Sequence, residues 1–196
     1  MQNIILAAGL GSRSDGKKLL LPYKGEPIVT HAVRASLEAG LQTIVVTGHN
    51  HEAVHRLLDG LACSLLKIKY NDQYQKGQGS STLCGVSQLD PTQSFFISLA
   101  DMPFIESHHY QFLMNYTGHA VIRPQYEGRL GHPVMLEPAF IPIIQSQPVQ
   151  FTMRSLLSNY PVHAVAVTDK AYILDIDTLQ EYRMLINSEL PPLQNL

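Results

Sequence analysis

The amino-acid sequence predicts an α/β fold, a Rossmann-like three-layer α/β/α sandwich built on a mostly parallel sheet. Short apolar runs alternate with helical patterns along the 196 residues, as in proteins whose helices cover both faces of a parallel sheet. The runs at 4–8 and 95–100 are apolar at nearly every position, which is typical of strands buried on both faces. We therefore expect the first strand at the centre of the sheet and its following loop at the carboxyl edge.

Composition and charge indicate a globular protein with a single domain, residues 1–196. Hydrophobic residues make up 45% of the chain and charged residues 15%, unlike a disordered protein. The formal net charge of −2 lacks the basic excess of a nucleic-acid-binding surface. No run is long enough to cross a bilayer, and the N-terminal apolar run is too short for a signal peptide. The two cysteines, Cys63 and Cys84, have no metal-ligand spacing and are typical of the free thiols of a reducing compartment, so we expect a cytoplasmic protein. From the charge and the length of the apolar runs, we expect neither nucleic-acid nor membrane partners.

The first predicted strand leads directly into a glycine-rich turn that is followed by cations. The turn is Gly-Leu-Gly-Ser at 9–12, and Arg13, Lys17 and Lys18 come after it. Glycines let the backbone turn tightly and bring its N–H groups close to a ligand. Arginine and lysine beside such a turn suit a polyphosphate. This stretch therefore predicts a phosphate-binding site.

Two common phosphate loops fit this stretch poorly. The dinucleotide fingerprint requires a third glycine where Ser14 stands, with a helix directly after the turn. The P-loop pattern is nearly matched at 11–17, but Lys18 occupies the place of the magnesium-binding hydroxyl, and Pro22 interrupts the helix that should follow. A P-loop NTPase stays an alternative, as does a plain glycine turn with solvated lysines.

The next elements continue the alternation of helix and strand. A helix is predicted from the Glu-Pro pair at 26–27, where proline suits the first turn, to Gly40. Its small apolar residues share one face at helical spacing: Ile28, Ala32, Ala35 and Ala39. A second strand is predicted over 43–47 and is closed by Gly48.

Residues 51–55 match the HExxH pattern of zinc proteases, which makes a zinc protease a further alternative. On a helix, His51 and His55 would share one face, with Glu52 as the general base. The match lies at the first turn of a predicted helix, after a polar loop, and no third ligand follows at a protease spacing. We therefore interpret the two histidines as surface residues.

Two further segments place polar groups after predicted strands. A strand over 65–70 is followed by the polar loop 71–81 and a helix that begins near Ser80; the glycine N–H groups and serine hydroxyls there suit a nucleobase or a phosphate. Asp101 follows the apolar strand at 95–100, where open α/β sheets bind ligands, and a turn or helix-cap role is its alternative. The neighbouring histidines at 108–109 are expected to face different ways and to be a poor metal pair.

The last third of the chain contains two more predicted strands and a final helix. The strands cover 120–124 and 162–167, and between them lies His132, which could orient a substrate phosphate or hold its loop. The final helix is predicted from Thr178, a plausible N-cap, to Ile186. The tail from Pro191 is expected to be loose.

These segments together resemble the nucleotidyltransferases related to the molybdenum-cofactor cytidylyl- and guanylyltransferases, which have the nucleotide-diphospho-sugar transferase fold. The resemblance covers nearly the whole chain and rests on these positions: Leu6-Ala7-Ala8-Gly9, Arg13, Lys18, Leu20-Leu21-Pro22, Asn71, Gly77, Ser81, Asp101-Met102-Pro103, Gly131-His132-Pro133, Arg154 and Asp175-Ile176-Asp177-Thr178. The chain departs from the family pattern at 14–15 and at Gln150 and Thr152. A non-catalytic nucleotide-binding relative is therefore one more alternative.

The resemblance implies a Mg²⁺-dependent nucleotidyltransferase. Such an enzyme moves a nucleoside monophosphate from a nucleoside triphosphate to a phosphorylated acceptor and releases pyrophosphate, a reaction that needs positive charge and alignment. CTP is favoured and GTP is possible, and the acceptor is molybdopterin or another phosphorylated small molecule. The implied catalytic residues are Arg13, Lys18 and Asp101, and the implied Mg²⁺ ligands are Asp101 and Asp175, with Asp177 as the substitute for Asp175. The nucleotide-binding residues would be Leu6, Ala7, Ala8, Gly9, Gly11, Ser12, Asn71, Gly77 and Ser81, and the substrate-side residues His132 and Arg154.

Overall fold

The computed structural model describes residues 1–9 and 17–189. Within these residues the strands are β1 (Gln2–Ala7), β2 (Pro22–Tyr23), β3 (Glu26–Pro27), β4 (Gln42–Thr47), β5 (Leu66–Tyr70), β6 (Phe95–Leu99), β7 (Val121–Tyr126), β8 (Arg129–Leu130), β9 (Val134–Leu136) and β10 (His163–Ala166). The helices are α1 (Ile28–Glu38), α2 (His51–Leu58), α3 (Gln78–Val86), α4 (Ser107–Met114), α5 (Phe140–Gln145), α6 (Met153–Leu157) and α7 (Leu179–Glu189).

The main sheet has the order β10-β7-β9-β6-β1-β4-β5, and β8 pairs with β7. β1 lies in the middle and pairs in parallel with β4 and β6, as predicted. The β4–β5 and β7–β10 pairs are also parallel, whereas β9 is antiparallel to both β6 and β7. The mostly parallel sheet is therefore confirmed. The three-residue strand β9 was not predicted, because so short a run after a proline shows no periodicity.

Helices cover both faces of this sheet. Successive residues of β1 point to opposite faces, so each contacts the helices on its own side. Ile4 packs with Val86 of α3 in one cluster of buried residues. Ile5, the next residue, packs with Val33 of α1 and Val54 of α2 in another. Both isoleucines are fully buried. The three-layer sandwich is thus confirmed, with the first strand in its interior.

A small hairpin replaces the predicted start of the first helix. Glu26–Pro27 forms β3 and pairs with β2, and Lys24 and Gly25 make the connection with φ values of 46° and 84°. Helix α1 then begins at Ile28, with Pro27 as its N-cap residue. The hairpin begins at Pro22, four residues after Lys18 of the stretch predicted to bind phosphate.

Two other helices begin close to where the sequence predicts. Helix α3 begins at Gln78, two residues before Ser80, because Gly77 adopts a φ of 101° and turns the chain there. Thr178 caps α7 as predicted, since its Oγ1 accepts a hydrogen bond of 3.1 Å from the Glu181 N–H. The Glu181 carboxylate in turn accepts from the Thr178 N–H at 2.8 Å, which is the reciprocal bond of a capping box.

A buried polar network joins the centre of the sheet to two helices. Asn3 on β1 donates to Ser36 of α1 at 2.9 Å and to the Tyr110 hydroxyl of α4 at 3.2 Å. Ser98 on β6 donates to Asn3 at 2.8 Å and accepts from Tyr110 at 3.0 Å. Because every member has a partner, these polar groups can be buried at little cost. The network fixes how α1 and α4 lie on the sheet.

Candidate active site

The carboxyl ends of β1 and β6 open into a cavity of about 440 Å³, here called the nucleotide cavity. Gly9 follows β1 and Asp101 follows β6, so both lie at the same edge of the sheet, as predicted. Parallel pairing of the two strands produces this arrangement. The cavity is lined by Leu6, Ala7, Ala8, Gly9, Lys18, Leu19, Tyr74, Gln75, Gly77, Gln78, Ser81, Leu99, Asp101, Asp175 and Asp177.

Many of the residues predicted to act on the nucleotide lie in this one cavity. Predicted nucleotide-binding residues in the lining are Leu6, Ala7, Ala8, Gly9, Gly77 and Ser81. Gly11, Ser12 and Arg13 fall outside the described residues. The pattern of the sequence did not single out Tyr74, Gln75 and Gln78, although they belong to the polar loop that it identified.

Asn71, the first residue of the polar loop 71–81, is buried and is not part of the described cavity lining. Its side chain is 4% exposed. The amide donates to the hydroxyls of Ser80 and Ser81, both at 3.0 Å, and its oxygen accepts from the Gln73 N–H. Asn71 therefore positions the first turn of α3 and the serine that lines the cavity.

Lys18 bridges two carboxylates in the nucleotide cavity. Its Nζ lies 2.7 Å from Asp101 Oδ2 and 3.2 Å from Asp177 Oδ1. Burial alone would lower the pKa of Lys18, but the charges of Asp101 and Asp177 and the hydrogen bonds to them outweigh burial and raise it. Lys17 is exposed and absent from the described lining of the cavity. Of the two adjacent lysines, the structure thus directs Lys18 to the site.

Three carboxylates from two parts of the chain meet around Lys18. Asp101 follows β6, and the segment with Asp175 and Asp177 is joined to it by a backbone hydrogen bond from the Ile176 N–H to the Asp101 carbonyl at 3.0 Å. Ile176 is 2% exposed and packs with Ile28 of α1. This buried residue holds the carboxylates on either side of it in the lining of the cavity.

The carboxylate group has properties that a divalent cation would match. Asp101 Oδ1 is buried and has no hydrogen-bond partner among the described residues. Partial burial and the negative charges of Asp177 and Asp101 raise the pKa of Asp175. Carboxylate oxygens are the ligands that Mg²⁺ prefers. These residues therefore fit a hard divalent cation.

The start of α3 packs directly against the segment that leads into α6. A Cβ atom on Gly79 would lie 2.4 Å from the Phe151 carbonyl oxygen and 2.5 Å from the Val149 carbonyl oxygen. Only glycine allows so close an approach. Thr152, one of the departures from the family pattern, caps α6 by accepting from the Ser155 N–H at 3.1 Å.

A second cavity of about 710 Å³, here called the acceptor cavity, adjoins the first. The two share Leu6, Gln78 and Leu99 in their linings. Both predicted substrate-side residues, His132 and Arg154, line the acceptor cavity. Arg123 and Arg129 also line it, and neither was among the site residues predicted from the sequence.

The basic groups of the acceptor cavity influence one another. Burial and the positive charge of Arg123 lower the pKa of His132 to about 4, against a smaller opposing effect of a hydrogen bond with the Ile97 backbone. His132 is therefore neutral at physiological pH. Burial and the charge of Arg154, which lines the same cavity, lower the pKa of Arg123.

The HExxH match at 51–55 does not assemble a metal site. His51 Nδ1 lies 2.7 Å from the Thr47 hydroxyl, and His55 Nδ1 lies 3.2 Å from Asp59. Among the described residues, neither histidine belongs to a group of three potential metal ligands. The interpretation of His55 as an exposed residue is confirmed, and His51 is partly buried beside Tyr70.

The expectation that His108 and His109 face different ways is wrong, because their ring centroids lie 3.9 Å apart. Their potential ligand atoms and that of Asp169 all lie within 4.8 Å of one another. However, His109 Nδ1 accepts from the Glu106 N–H at 2.8 Å, so a neutral ring carries its proton on Nε2, which lies 3.1 Å from Asp169. Nε2 therefore has no lone pair for a metal, and His109 instead caps α4.

No helix in the described part of the chain is both long enough and apolar enough to cross a membrane. Cys63 and Cys84 are both free thiols.

Comparison with known proteins adds a family and several relatives. The family model of the MobA-like NTP transferase domain matches residues 3–165. The molybdenum cofactor cytidylyltransferase of Escherichia coli (strain K12) is 28% identical over 180 residues, which cover 91% of this chain and 92% of that protein. The nicotine blue oxidoreductase of Paenarthrobacter nicotinovorans is 27% identical over 197 residues, with 93% and 95% covered. Relatives of nearly equal identity thus carry different names, so identity alone does not select a substrate.

The fold has close counterparts among solved structures. Rv0371c from Mycobacterium tuberculosis H37Rv superposes with a TM-score of 0.81 at 21% sequence identity, over 95% of this chain and 97% of that one. This likeness concerns the fold. It confirms the nucleotide-diphospho-sugar transferase type of sandwich that the sequence predicts.

Proposed function

The chain belongs to the family of MobA-like NTP transferases, and on that basis we propose that it is a cytidylyltransferase for a molybdopterin-type acceptor. A phosphate oxygen of the acceptor attacks the α-phosphorus of CTP. The bond from the α-phosphorus to the oxygen that bridges it to the β-phosphate breaks, and its electron pair leaves with pyrophosphate. CTP and this acceptor are preferred because the sequence motifs resemble those of the molybdenum-cofactor transferases, and a relative of 28% identity carries the name molybdenum cofactor cytidylyltransferase.

One observation carries the proposal: a cavity with a lysine between carboxylates adjoins a basic cavity at the carboxyl edge of the sheet. Nucleotidyl transfer requires two phosphorylated substrates in line and positive charge on the phosphates. The shared lining residues Leu6, Gln78 and Leu99 mean that ligands in the two cavities would be neighbours. This arrangement suits a two-substrate transfer better than hydrolysis of a single nucleotide.

Lys18 is the proposed source of positive charge for the leaving pyrophosphate. Its ammonium group lies in the nucleotide cavity, and the stabilisation of charge that develops in the transition state is where a preorganised cation contributes most. The backbone at Ala8 and Gly9 lines the same cavity and would hold phosphate oxygens. Arg13 is proposed as a second cation.

We further propose Mg²⁺ as the cofactor, held by Asp101 and Asp175, with Asp177 as the substitute for Asp175. The unpartnered oxygen of Asp101 and the raised pKa of Asp175 support this set, because a nearby cation would satisfy the first and lower the second. When bound, the ion would supply positive charge to the phosphate oxygens.

The nucleobase and the acceptor are the parts of the proposal that need direct measurement. GTP is the alternative nucleotide, and another phosphorylated small molecule is the alternative acceptor. The decisive first experiment is a thermal-shift comparison of the four ribonucleoside triphosphates with Mg²⁺. A ligand at one hundred times its dissociation constant stabilises a protein by about 2.7 kcal/mol, and we expect CTP to give the largest shift.

The reaction products then distinguish the remaining classes. With CTP and molybdopterin, we expect pyrophosphate and a cytidylylated acceptor. Orthophosphate would instead indicate a P-loop NTPase, and stoichiometric zinc by metal analysis would revive the protease alternative. Nucleotide binding without turnover of any phosphorylated acceptor would indicate a non-catalytic relative. A larger shift with GTP than with CTP would overturn the assignment of the base and leave the reaction class intact.

A further inference from the structure

Two of the three carboxylates in the nucleotide cavity come from a segment without regular structure. Asp175 and Asp177 lie between a 3₁₀ turn over Lys170–Ile173 and α7, which begins at Leu179. Residues 174–177 form neither helix nor strand, yet both side chains line the cavity. A segment without a hydrogen-bond ladder of its own keeps its place only through contacts with its neighbours. These contacts therefore decide whether the proposed metal ligands are in position.

Glu181 fixes the backbone of this segment from its C-terminal side. One oxygen of the carboxylate, Oε2, accepts from the Asp177 N–H at 2.9 Å and from the Thr178 N–H at 2.8 Å. Both donors precede α7, where N–H groups find no partner within the helix. Glu181 is exposed and is absent from the described lining of the nucleotide cavity. Its carboxylate therefore acts on the backbone that carries Asp177.

Tyr182 ties the same helix to the segment that carries Lys18. The Tyr182 hydroxyl donates to the Pro22 carbonyl at 2.7 Å, and its ring is buried in one cluster with Ile176. Pro22 follows Lys18 by four residues, and Lys18 Nζ lies 3.2 Å from Asp177 Oδ1. The two segments are thus joined twice, by this ion pair and by the Tyr182 hydroxyl.

A segment that is held in place before the metal arrives binds it more tightly. An ion that binds carboxylates on a loose segment must also order that segment, and its apparent affinity falls with the fraction of molecules in the ordered arrangement. The like charges of Asp101, Asp175 and Asp177 oppose this arrangement, and Lys18 supplies one positive charge for the three. Contacts outside the cavity must therefore help to hold the carboxylates together.

We propose that Glu181 and Tyr182 are positioning residues for the metal site, which hold Asp175 and Asp177 in the nucleotide cavity and thereby set its affinity for a divalent cation. Neither belongs to the described lining of the cavity. Glu181 acts through the backbone that carries Asp177, and Tyr182 acts through the Pro22 carbonyl. This inference rests on the proposed transferase function, of which it concerns the metal site.

The first measurement needs neither metal nor nucleotide. Amide hydrogen exchange of the full chain, followed by mass spectrometry, reports on the peptide that covers 174–182. Glu181→Ala removes the acceptor and Tyr182→Phe removes the donor, and each should raise the exchange rate of this peptide about threefold or more, because a hydrogen bond is worth a factor of that size. The matched control is Tyr160→Phe, a partly buried tyrosine outside both described cavity linings, which should leave this rate unchanged.

The second measurement is the affinity for Mn²⁺ alone, from the paramagnetic resonance signal of the free ion. Glu181→Ala should weaken Mn²⁺ binding about tenfold and Tyr182→Phe about threefold. Glu181→Gln should bind nearly as tightly as the wild type, because both hydrogen bonds go to a single oxygen that an amide also provides. In turnover, Glu181→Ala should need more Mg²⁺ for half its maximal rate and approach the wild-type rate at saturation, since the bound ion restores the arrangement.

Several results would overturn the inference. Equal weakening of Mn²⁺ binding in Glu181→Gln and Glu181→Ala would show that the charge of the carboxylate matters, rather than its position as an acceptor. Wild-type Mn²⁺ affinity in both Glu181→Ala and Tyr182→Phe, or turnover in Glu181→Ala that saturating Mg²⁺ does not restore, would also contradict a positioning role.

Failure of the proposed function has a different signature. If the wild type binds Mn²⁺ but transfers no nucleotide, the transferase proposal fails, and the inference stands on exchange and metal affinity. If the wild type binds no Mn²⁺, the proposed metal set fails, and with it the role of Glu181 and Tyr182 in metal affinity. Hydrogen exchange then still decides whether the two residues hold the segment.

Discussion

Lys18 and Asp101 are 83 positions apart in the sequence, and their side chains form an ion pair of 2.7 Å in the nucleotide cavity. The positive charge of Lys18 balances the negative charge of the carboxylates that are proposed to bind Mg²⁺. A triphosphate competes for the same ammonium group, because its oxygens carry more negative charge than one carboxylate. Nucleotide binding should therefore release Asp101 toward a metal ion.

Lys18→Ala should reduce triphosphate turnover far more than Lys17→Ala, by about a hundredfold or more, because removal of one preorganised charge contact costs that order of rate. Lys17 is the matched control, since it is exposed and lies outside the described lining of the cavity. Steady-state release of pyrophosphate measures the turnover of both variants. Equal loss of turnover in the two variants would contradict this assignment and favour the P-loop alternative.

The same Lys18→Ala protein, without nucleotide, should bind Mn²⁺ more tightly than the wild type, because the cation that competes for the carboxylates is gone.

Asp101→Asn should abolish Mg²⁺-dependent transfer and preserve the fold. Asparagine keeps the shape of the side chain but loses the charge that attracts a cation. Lys18 retains Asp177 as a partner at 3.2 Å, so we expect only a small change in melting temperature. Melting temperature and pyrophosphate release are the two measurements. If Asp101 were merely a turn or cap residue, asparagine would serve nearly as well, and retained turnover would falsify the metal assignment.

Asp175→Asn should stabilise the metal-free protein at neutral pH. The pKa of Asp175 is raised above its ordinary value of 3.8 in the folded protein, so its ionisation opposes folding, and this cost grows as pH rises through 3.8 to the folded pKa. Because Asp175 is exposed to solvent, which weakens its electrostatic interactions, we expect a rise in melting temperature of only about 1–2 °C. The difference should shrink as the pH is lowered toward 3.8. Saturating Mg²⁺ should stabilise the wild type more than the variant, and a variant that is less stable at every pH would contradict the argument.

Tyr110→Phe should destabilise the protein through the buried polar network. The hydroxyl donates to Ser98 and accepts from Asn3, so its removal leaves one amide hydrogen of Asn3 and one lone pair of Ser98 unpaired in the interior, at a cost of about 1–2 kcal/mol. For a chain of this size that corresponds to a fall in melting temperature of about 2–8 °C. Tyr116→Phe, a partly exposed tyrosine on the same side of the sheet, is the control and should change it little. A similar fall in both variants would show that loss of the phenol, rather than of the network, matters.

The sheet and the nucleotide cavity could be predicted because their signals are local. Apolar runs identify the buried strands, and the carboxyl ends of parallel strands meet at one edge. Gly9 and Asp101 could therefore be placed together before their contacts were known. The contrast between Lys17 and Lys18 was likewise accessible from the family resemblance.

The acceptor cavity could be predicted only in part. Its positive charge depends on the lack of acidic residues among its described lining residues, and only the three-dimensional structure shows which residues line it. Arg123 lies in β7 and Arg129 in β8, and nothing in their sequence neighbours indicates a cavity without acids. The polar network was equally hidden, since Asn3 and Tyr110 are 107 positions apart. Asn71 matched the family pattern, but only its hydrogen bonds to Ser80 and Ser81 indicate a positioning role.

The close approach at Gly79 has a consequence for how the two substrates influence each other. The carbonyls of Val149 and Phe151 press on the first turn of α3, whose Ser81 lines the nucleotide cavity, and their segment continues into α6, which carries Arg154. We therefore expect a shift of α3 toward this segment to be transmitted to α6. Binding free energies are reciprocal, so whatever factor the nucleotide applies to acceptor affinity, the acceptor applies to nucleotide affinity. Cooperative binding of the two ligands would then originate in a contact that neither of them touches.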